Sequence, residues 1–135
     1  MILKAMKKLL LLLTALFFMI PFSQAQDSSS GNKEFVHTVY FWLKNPADQT
    51  DRAKFEKSLK TFLNSSKYIQ TKHLGVPANT DRPVIDRSYT YCLSLTFASK
   101  ADQDKYQAED VHLVFIKESE MLWKKVLVYD SESIL

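Results

Sequence analysis

The chain has 135 residues, 18 of them basic and 15 acidic, and this composition excludes several classes of protein. Residues 1–25 hold three of the basic residues and no acidic one, so the other 110 residues carry 15 charges of each sign. A formally neutral body without a dense Lys/Arg run argues against a nucleic-acid partner. Its length suits one domain, and the single cysteine, Cys92, excludes an intramolecular disulfide.

The beginning of the chain has the pattern of a secretory signal peptide, predicted to span residues 1–25. A short basic stretch precedes a run of twelve residues, 9–20, in which one residue is polar. Small residues, Ser23 and Ala25, then precede a candidate cleavage site. The apolar run is shorter than the roughly 20 residues that cross a bilayer. We therefore expect an exported protein, periplasmic or extracellular, without stable membrane insertion after cleavage.

Residues 35–44, FVHTVYFWLK, are predicted to form the first strand because aromatic and β-branched residues dominate them. Large apolar side chains occur at both odd and even positions, so both faces of this strand should be covered. An amphipathic helix is predicted over 49–64, where apolar residues recur with a spacing of three and four. Asn45-Pro46 or Thr50 is expected to cap this helix.

Two further strands are predicted in the middle of the chain, at 67–77 and 88–97, joined by the polar connection 78–87. The second of them alternates between larger apolar or aromatic residues and small or polar residues, which indicates one buried face. The residues expected on that face are Tyr89, Tyr91, Leu93, Leu95 and Phe97.

Two helical segments are predicted before the last strand. The Ser-x-x-Asp pattern that starts at Ser99 is typical of a capping box, so a helix should begin there and reach about Tyr106. Asp110 is expected to cap a second segment that runs to about Met121. Residues 123–130, WKKVLVYD, then form the last strand, and their apolar run favours a central position in the sheet.

The order β-α-β-β-α-β predicts an α+β, ferredoxin-like fold with a four-stranded antiparallel sheet. The helices of this fold cover one face of the sheet. The first strand nevertheless carries Tyr40 and Trp42 on one face and Val39 and Phe41 on the other. Leaving either set in water would expose a larger apolar patch than monomers usually carry. We therefore expect the open sheet face to pack against a second copy, giving a homodimeric α/β barrel.

Three stretches resemble the stress-responsive α/β-barrel family, whose members are called Dabb domains. They are FVHTVYFWLK, YTYCLSLTFASKADQDKYQAEDVH and LWKKVLVYD. The resemblance covers residues 35–130, leaving 26–34 as a polar, flexible linker and 131–135 as a C-terminal tail. It implies the same dimeric α+β barrel that the element order predicts.

A tyrosine and a histidine, Tyr106 and His112, are the first candidates for a site. They are six residues apart, which is about 600° of rotation in an unbroken helix, so they would point apart. A bend at Ala108–Asp110 would let both face one space. There a neutral His112 is able to accept a proton and Tyr106 to donate a hydrogen bond to a developing oxyanion.

The resemblance extends this candidate site. The family commonly has a tyrosine, a His-Pro pair and a histidine, and Glu109-Asp110 stands here where the His-Pro pair would be. A plant polyketide cyclase of the family uses the matching tyrosine and histidine as its acid–base pair. It also has histidines at the positions of His37 and Tyr91. The resemblance implies that the strand face with His37, Val39 and Phe41 meets the helices, so that these residues and Tyr91 would contact a ligand.

Three hypotheses about function remain open at this point. The first is a binding protein for a small apolar molecule held between helices and sheet. The second is a polyketide-cyclase-, isomerase- or monooxygenase-like enzyme that uses the Tyr/His pair. The third is a non-catalytic structural dimer module, in which Tyr106, His112 and His37 are ordinary core residues. We expect no metal and no cofactor, because His37, His73 and His112 are widely spaced and no Gly-rich phosphate loop occurs.

Overall fold

The computed structural model describes residues 33–135. The predicted signal peptide and most of the predicted linker lie outside the described residues. Within them, the helices and strands follow in the order β1 Phe35–Leu43, α1 Gln49–Ser65, β2 Thr71–Gly75, β3 Tyr91–Phe97, α2 Lys100–Gln107, α3 Asp110–Ser119 and β4 Trp123–Glu132.

The strands form one antiparallel sheet in the order β2-β3-β1-β4. In its centre, Val39 of β1 lies opposite Leu93 of β3 on one side and Val128 of β4 on the other. This topology confirms the predicted ferredoxin-like α+β fold, with the second helical region divided into α2 and α3. In the described part of the chain, no helix is both long and apolar enough to cross a membrane.

The residues of β1 alternate between a fully buried face and a half-buried face. Successive strand residues point to opposite faces of a sheet, so the odd-numbered residues of β1 share one face. That face lies under the helices, and Leu43 at its end is completely buried. The even-numbered residues face the opposite side, as the apolar character of both faces predicted.

Aromatic contacts fix the position of α1 on the sheet. Phe55 of α1 is fully buried. Its ring packs edge-on against Phe41 of β1, with 5.1 Å between ring centroids, and stacks on Tyr91 of β3 at 5.0 Å. Each such pair contributes about 0.5–1.5 kcal/mol beyond the burial of its surface. The predicted amphipathic helix is thereby confirmed, and its apolar face forms one wall of the core.

The start of α1 differs from the prediction. Asp48 is the N-cap, and its Oδ1 accepts hydrogen bonds from the backbone amides of Thr50 at 2.7 Å and Asp51 at 2.9 Å. An aspartate at this position satisfies amides that have no partner within the helix. The prediction that Asn45-Pro46 or Thr50 caps the helix is therefore wrong.

The two later helix starts agree only in part with the prediction. Ser99 caps α2 as predicted, since its Oγ accepts a hydrogen bond from the amide of Asp102 at 3.2 Å. Asp110 does not cap α3: it is the first helical residue, and Glu109 precedes it as the N-cap. The carboxylate of Glu109 makes no capping bond because it accepts hydrogen bonds from Ser66 Oγ and the Lys67 amide.

Two strands also depart from the prediction. β2 is shorter than expected and comprises only Thr71–Gly75. β4 extends beyond residue 130 to Glu132 and lies at an edge of the sheet, because β1 takes the place between β3 and β4. Its Val126 and Val128 share the helix-covered face but keep 36% and 46% of their surface exposed. The apolar run that suggested a central strand instead borders a cavity, described below.

The sheet face opposite the helices carries a group of aromatic side chains. Tyr40 packs against Tyr89 with 4.9 Å between ring centroids and against Tyr129 at 6.2 Å. The ammonium of Lys125 lies 4.2 Å from the centre of the Trp42 ring. Tyr89 therefore belongs to this open face and not to the helix-covered face on which it was predicted, since β3 begins only at Tyr91.

Candidate functional site

A cavity of about 160 Å³ lies between the helices and the β1–β4 half of the sheet. Most of its wall is apolar, and three polar rings interrupt that wall. The apolar lining residues are Val39, Phe41, Phe62, Leu93, Phe115, Ile116, Trp123, Val126 and Val128, and the polar ones are His37, Tyr106, Gln107 and His112.

The break between α2 and α3 brings Tyr106 and His112 together. Tyr106 lies in the last turn of α2 and His112 in the first turn of α3, and their ring centroids are 5.0 Å apart. The break is held in place by Glu109, whose carboxylate accepts the Lys67 amide at 2.9 Å and so ties this corner to the end of α1. The bend predicted at Ala108–Asp110 is present, and it turns both rings into one space.

A hydrogen bond to the backbone orients His112. Its Nδ1 lies 3.1 Å from the carbonyl oxygen of Gln107. A carbonyl oxygen only accepts, so Nδ1 carries the proton and donates. Burial lowers the pKa of His112, and the bond to Gln107 opposes this shift only in part. The ring is therefore favoured in its neutral form, with Nε2 as a hydrogen-bond acceptor.

A carboxylate orients the second histidine, His37. Its Nδ1 lies 2.6 Å from Oδ1 of Asp130, the residue directly opposite it on β4. Because the carboxylate accepts, Nδ1 donates here as well. His37 is 4% exposed, and its ring centroid lies 5.8 Å from that of Tyr106. Sequence reasoning missed Asp130, since only the register of β1 with β4 reveals that the two residues are neighbours.

Tyr106 lies between these two histidines. It is 1% exposed, and its ring also contacts Phe62 at 5.4 Å and Phe97 at 4.9 Å between centroids. Burial raises the pKa of its hydroxyl, with the nearby carboxylates Glu109 and Asp130 adding to the shift, so it remains a neutral phenol. Among residues 33–135 this hydroxyl has no hydrogen-bond partner.

The other predicted contact residues divide into two groups. Val39 and Phe41 line the cavity, as expected from their position on β1 beside His37. Tyr91 does not: its hydroxyl donates a hydrogen bond to Glu56 Oε1 at 2.7 Å on the far side of Phe55. Desolvation raises the pKa of Tyr91, and the bond to Glu56 reinforces that shift. Tyr91 is thus a core residue tied to α1.

A second and larger space, about 540 Å³, lies between α1 and α3. Phe62 and Phe115 line both spaces and separate them. In the larger one, Ser58 Oγ already donates to Glu118 Oε2 at 2.6 Å, so that polar pair is engaged. The smaller cavity is the stronger candidate site because its polar rings converge and keep unused hydrogen-bonding atoms.

The cavity offers groups for binding and for proton transfer. A neutral imidazole, His112, stands beside a phenol, Tyr106, in a water-poor, mostly apolar space, where each hydrogen bond counts for more than in water. In residues 33–135, no group of three or more potential metal-binding side chains is found. The available chemistry is therefore that of rings which donate, accept or move a proton.

The model of the stress responsive A/B barrel (Dabb) domain matches residues 35–133. Comparison with curated proteins gave no significant match. Solved structures share the fold at identities too low to indicate more than the fold, and three of them illustrate this.

A Dabb family protein with a ferredoxin-like fold from Mesorhizobium loti has a TM-score of 0.61 and 23% identity, over 74% of this chain and 96% of its own. The hydroxynitrile lyase of Passiflora edulis has a TM-score of 0.62 and 20% identity, over 75% and 94% of the two chains. A dimeric ferredoxin-like protein of unknown function from Thermobifida fusca has a TM-score of 0.62 and 9% identity, over 76% and 92%. By the domain match and the fold together, the chain belongs to the stress responsive A/B barrel family.

Proposed function

We propose that this chain is an exported, homodimeric Dabb protein that binds a small, largely apolar molecule in the cavity between its helices and sheet. The observation that carries this proposal is the set of three polar rings, His37, Tyr106 and His112, in the otherwise apolar wall. Ligand sites typically combine an apolar lining with a few convergent polar groups that set orientation.

The size of the cavity limits the ligand. Its volume is about 160 Å³. An apolar cavity of roughly 150 Å³ is large enough for benzene, whereas drug-sized ligands occupy about 300–1,000 Å³. The proposed ligand is therefore about one six-membered ring in size, with its polar end at the histidines and its apolar part against Val39, Phe41 and Ile116.

Export and self-association are further parts of the proposal. The N-terminal pattern of basic, apolar and small residues supports export. The open sheet face supports a homodimer, because Tyr40, Trp42, Tyr89 and Tyr129 form a half-exposed to exposed aromatic group there. Similar structures from Thermobifida fusca and Bacteroides fragilis are themselves described as dimeric.

A blocked cavity provides the test of binding. Val128 lines the cavity and is 46% exposed, so Val128→Phe should place a ring at the entrance without overfilling the core. Val84→Phe, at a 90% exposed position, is the matched control. We expect one-ring compounds such as phenol or toluene to shift NMR signals of cavity residues in the parent and in Val84→Phe. The shifts should vanish in Val128→Phe, and equal shifts there would reject the cavity as the site.

A second candidate function is acid–base catalysis, and one observation favours it. His112 is kept neutral by burial and lies beside Tyr106, with 5.0 Å between ring centroids. In a cyclase-, isomerase- or monooxygenase-like reaction, His112 Nε2 would take a proton from the substrate and Tyr106 would donate to the oxyanion that forms. Such a substrate would need to fit the same small cavity.

A pair of variants tests this candidate. His112→Asn retains a donor for the Gln107 carbonyl and removes the base. It should lower turnover by about 10²–10⁴-fold, the range typical of general acid–base catalysis. His73→Asn, at an exposed position of β2, is the control. Unchanged turnover in the folded His112→Asn protein would leave only binding. Failure of every one-ring compound to bind would favour a structural dimer module.

A further inference from the structure

Both cavity histidines are fixed in the same tautomer. Asp130 accepts the Nδ1 proton of His37, and the Gln107 carbonyl accepts that of His112. In each neutral ring the remaining nitrogen, Nε2, therefore has a lone pair and no proton. Two different elements, β4 and the end of α2, impose this state, and neither takes part in the cavity wall through a charge.

The two Nε2 atoms border the cavity. Neither has a hydrogen-bond partner within residues 33–135. In those residues, the sealed side-chain polar atoms that lack a partner are limited to Ser119 Oγ. The Nε2 atoms therefore keep access to open space, and the open space that both rings line is the cavity. The Tyr106 hydroxyl, also without a partner, lies between them.

The cavity is consequently rich in acceptors. It presents two acceptor nitrogens and one hydroxyl that is able to donate or accept. A ligand without a donor would leave at least one buried nitrogen unpaired, and such a loss carries a full desolvation penalty. A charged ligand is disfavoured as well, because no Lys, Arg, Asp or Glu is among the lining residues. A buried charge without a partner is far less favourable than a neutral polar group.

We propose that the cavity selects neutral one-ring ligands that carry a hydrogen-bond donor, such as a phenol or a cyclic alcohol, through the paired Nε2 acceptors of His37 and His112. This inference rests on the proposed small-molecule function and specifies its ligand. Asp130 and the Gln107 carbonyl act as positioning groups, since they determine which nitrogen each ring presents.

Phenol and toluene provide the decisive comparison, because they have the same number of heavy atoms and differ only by hydroxyl against methyl. A purely apolar cavity prefers toluene, whereas a site built to bind a hydroxyl discriminates against the analogue that lacks it. We expect phenol to bind the purified protein at least about tenfold more tightly than toluene, as measured by NMR titration. Benzoate and benzylammonium, the charged probes, should bind more weakly than phenol.

Variants assign the selectivity to the histidines. His112→Leu should lose the preference for phenol and keep or improve toluene binding, while His73→Leu, outside the cavity, should retain the preference. If His112→Leu does not fold, Asp130→Asn provides a second route, since an amide in place of the carboxylate frees His37 to change tautomer and should weaken phenol more than toluene. Toluene binding as tightly as phenol in the parent would overturn the donor requirement and leave small-molecule binding standing. Binding of neither compound would overturn both.

Discussion

The hydroxyls of two buried tyrosines should respond oppositely to removal. Tyr106 and Tyr91 are 1% and 2% exposed, and each is changed to phenylalanine by the loss of one oxygen. The Tyr106 hydroxyl has no partner among residues 33–135 and faces the cavity. The Tyr91 hydroxyl donates to Glu56 Oε1 at 2.7 Å. The first hydroxyl is expected to serve a ligand and the second to serve stability.

The expected magnitudes follow from these contacts. An unpaired buried hydroxyl is unfavourable by about 1–3 kcal/mol, but a water in the 160 Å³ cavity would recover part of that. Tyr106→Phe should therefore leave the free energy of unfolding unchanged or raise it by up to about 1 kcal/mol. Tyr91→Phe should lower it by about 1 kcal/mol, a modest value because the Glu56 side chain is 33% exposed.

Urea denaturation of the two variants and the parent, followed by circular dichroism, measures both effects. Thermal midpoints provide a second readout, since 1 kcal/mol corresponds to about 4–8 °C for a domain of this size. Phenol binding should fall in Tyr106→Phe and persist in Tyr91→Phe. If Tyr106→Phe is destabilised as much as Tyr91→Phe, its hydroxyl has a structural partner, and the reasoning about the cavity fails.

Three further predictions concern pH, capping and assembly. Because burial lowers the pKa of His112 below its unfolded value of about 6.5, the unfolded chain binds the proton first. Stability should be highest above about pH 6.5 and fall as the pH drops toward the folded pKa, and urea titrations should show a smaller fall in His112→Asn. Asp48→Ala removes the acceptor for the amides of Thr50 and Asp51 and should lower the free energy of unfolding by about 1–2 kcal/mol, whereas Asp48→Ser should restore most of it. Tyr40→Lys, on the open sheet face, should yield a folded monomer by sedimentation, and a dimer of unchanged stability would show that this face is not the interface.

The division of the chain into helices and strands was predictable because it depends on local patterns. The two-sided apolar character of β1, the alternation in β3 and the Ser-x-x-Asp start of α2 depend on residues close together in sequence. The same patterns gave the element order and therefore the ferredoxin-like fold. Where several residues compete for one role, as at the cap of α1, local patterns do not choose: Asp48 prevails because its carboxylate reaches two amides.

The sequence by itself placed Tyr106, His112, His37, Val39 and Phe41 as candidates for one site, through the helix break and the face of β1. Only the tertiary structure separated Tyr91 from them, since Phe55 and Glu56 of α1 occupy its side of the core. It also introduced Asp130, distant in sequence, by pairing β4 with β1.

The edge position of β4 and the tautomers of both histidines were likewise decided in three dimensions. Strand pairing and hydrogen bonds between distant segments depend on which neighbours the fold supplies, and no local pattern of residues encodes them. The sequence thus determined the elements and the kinds of side chain at the site. The packed fold determined the shape of the cavity and which atoms face it.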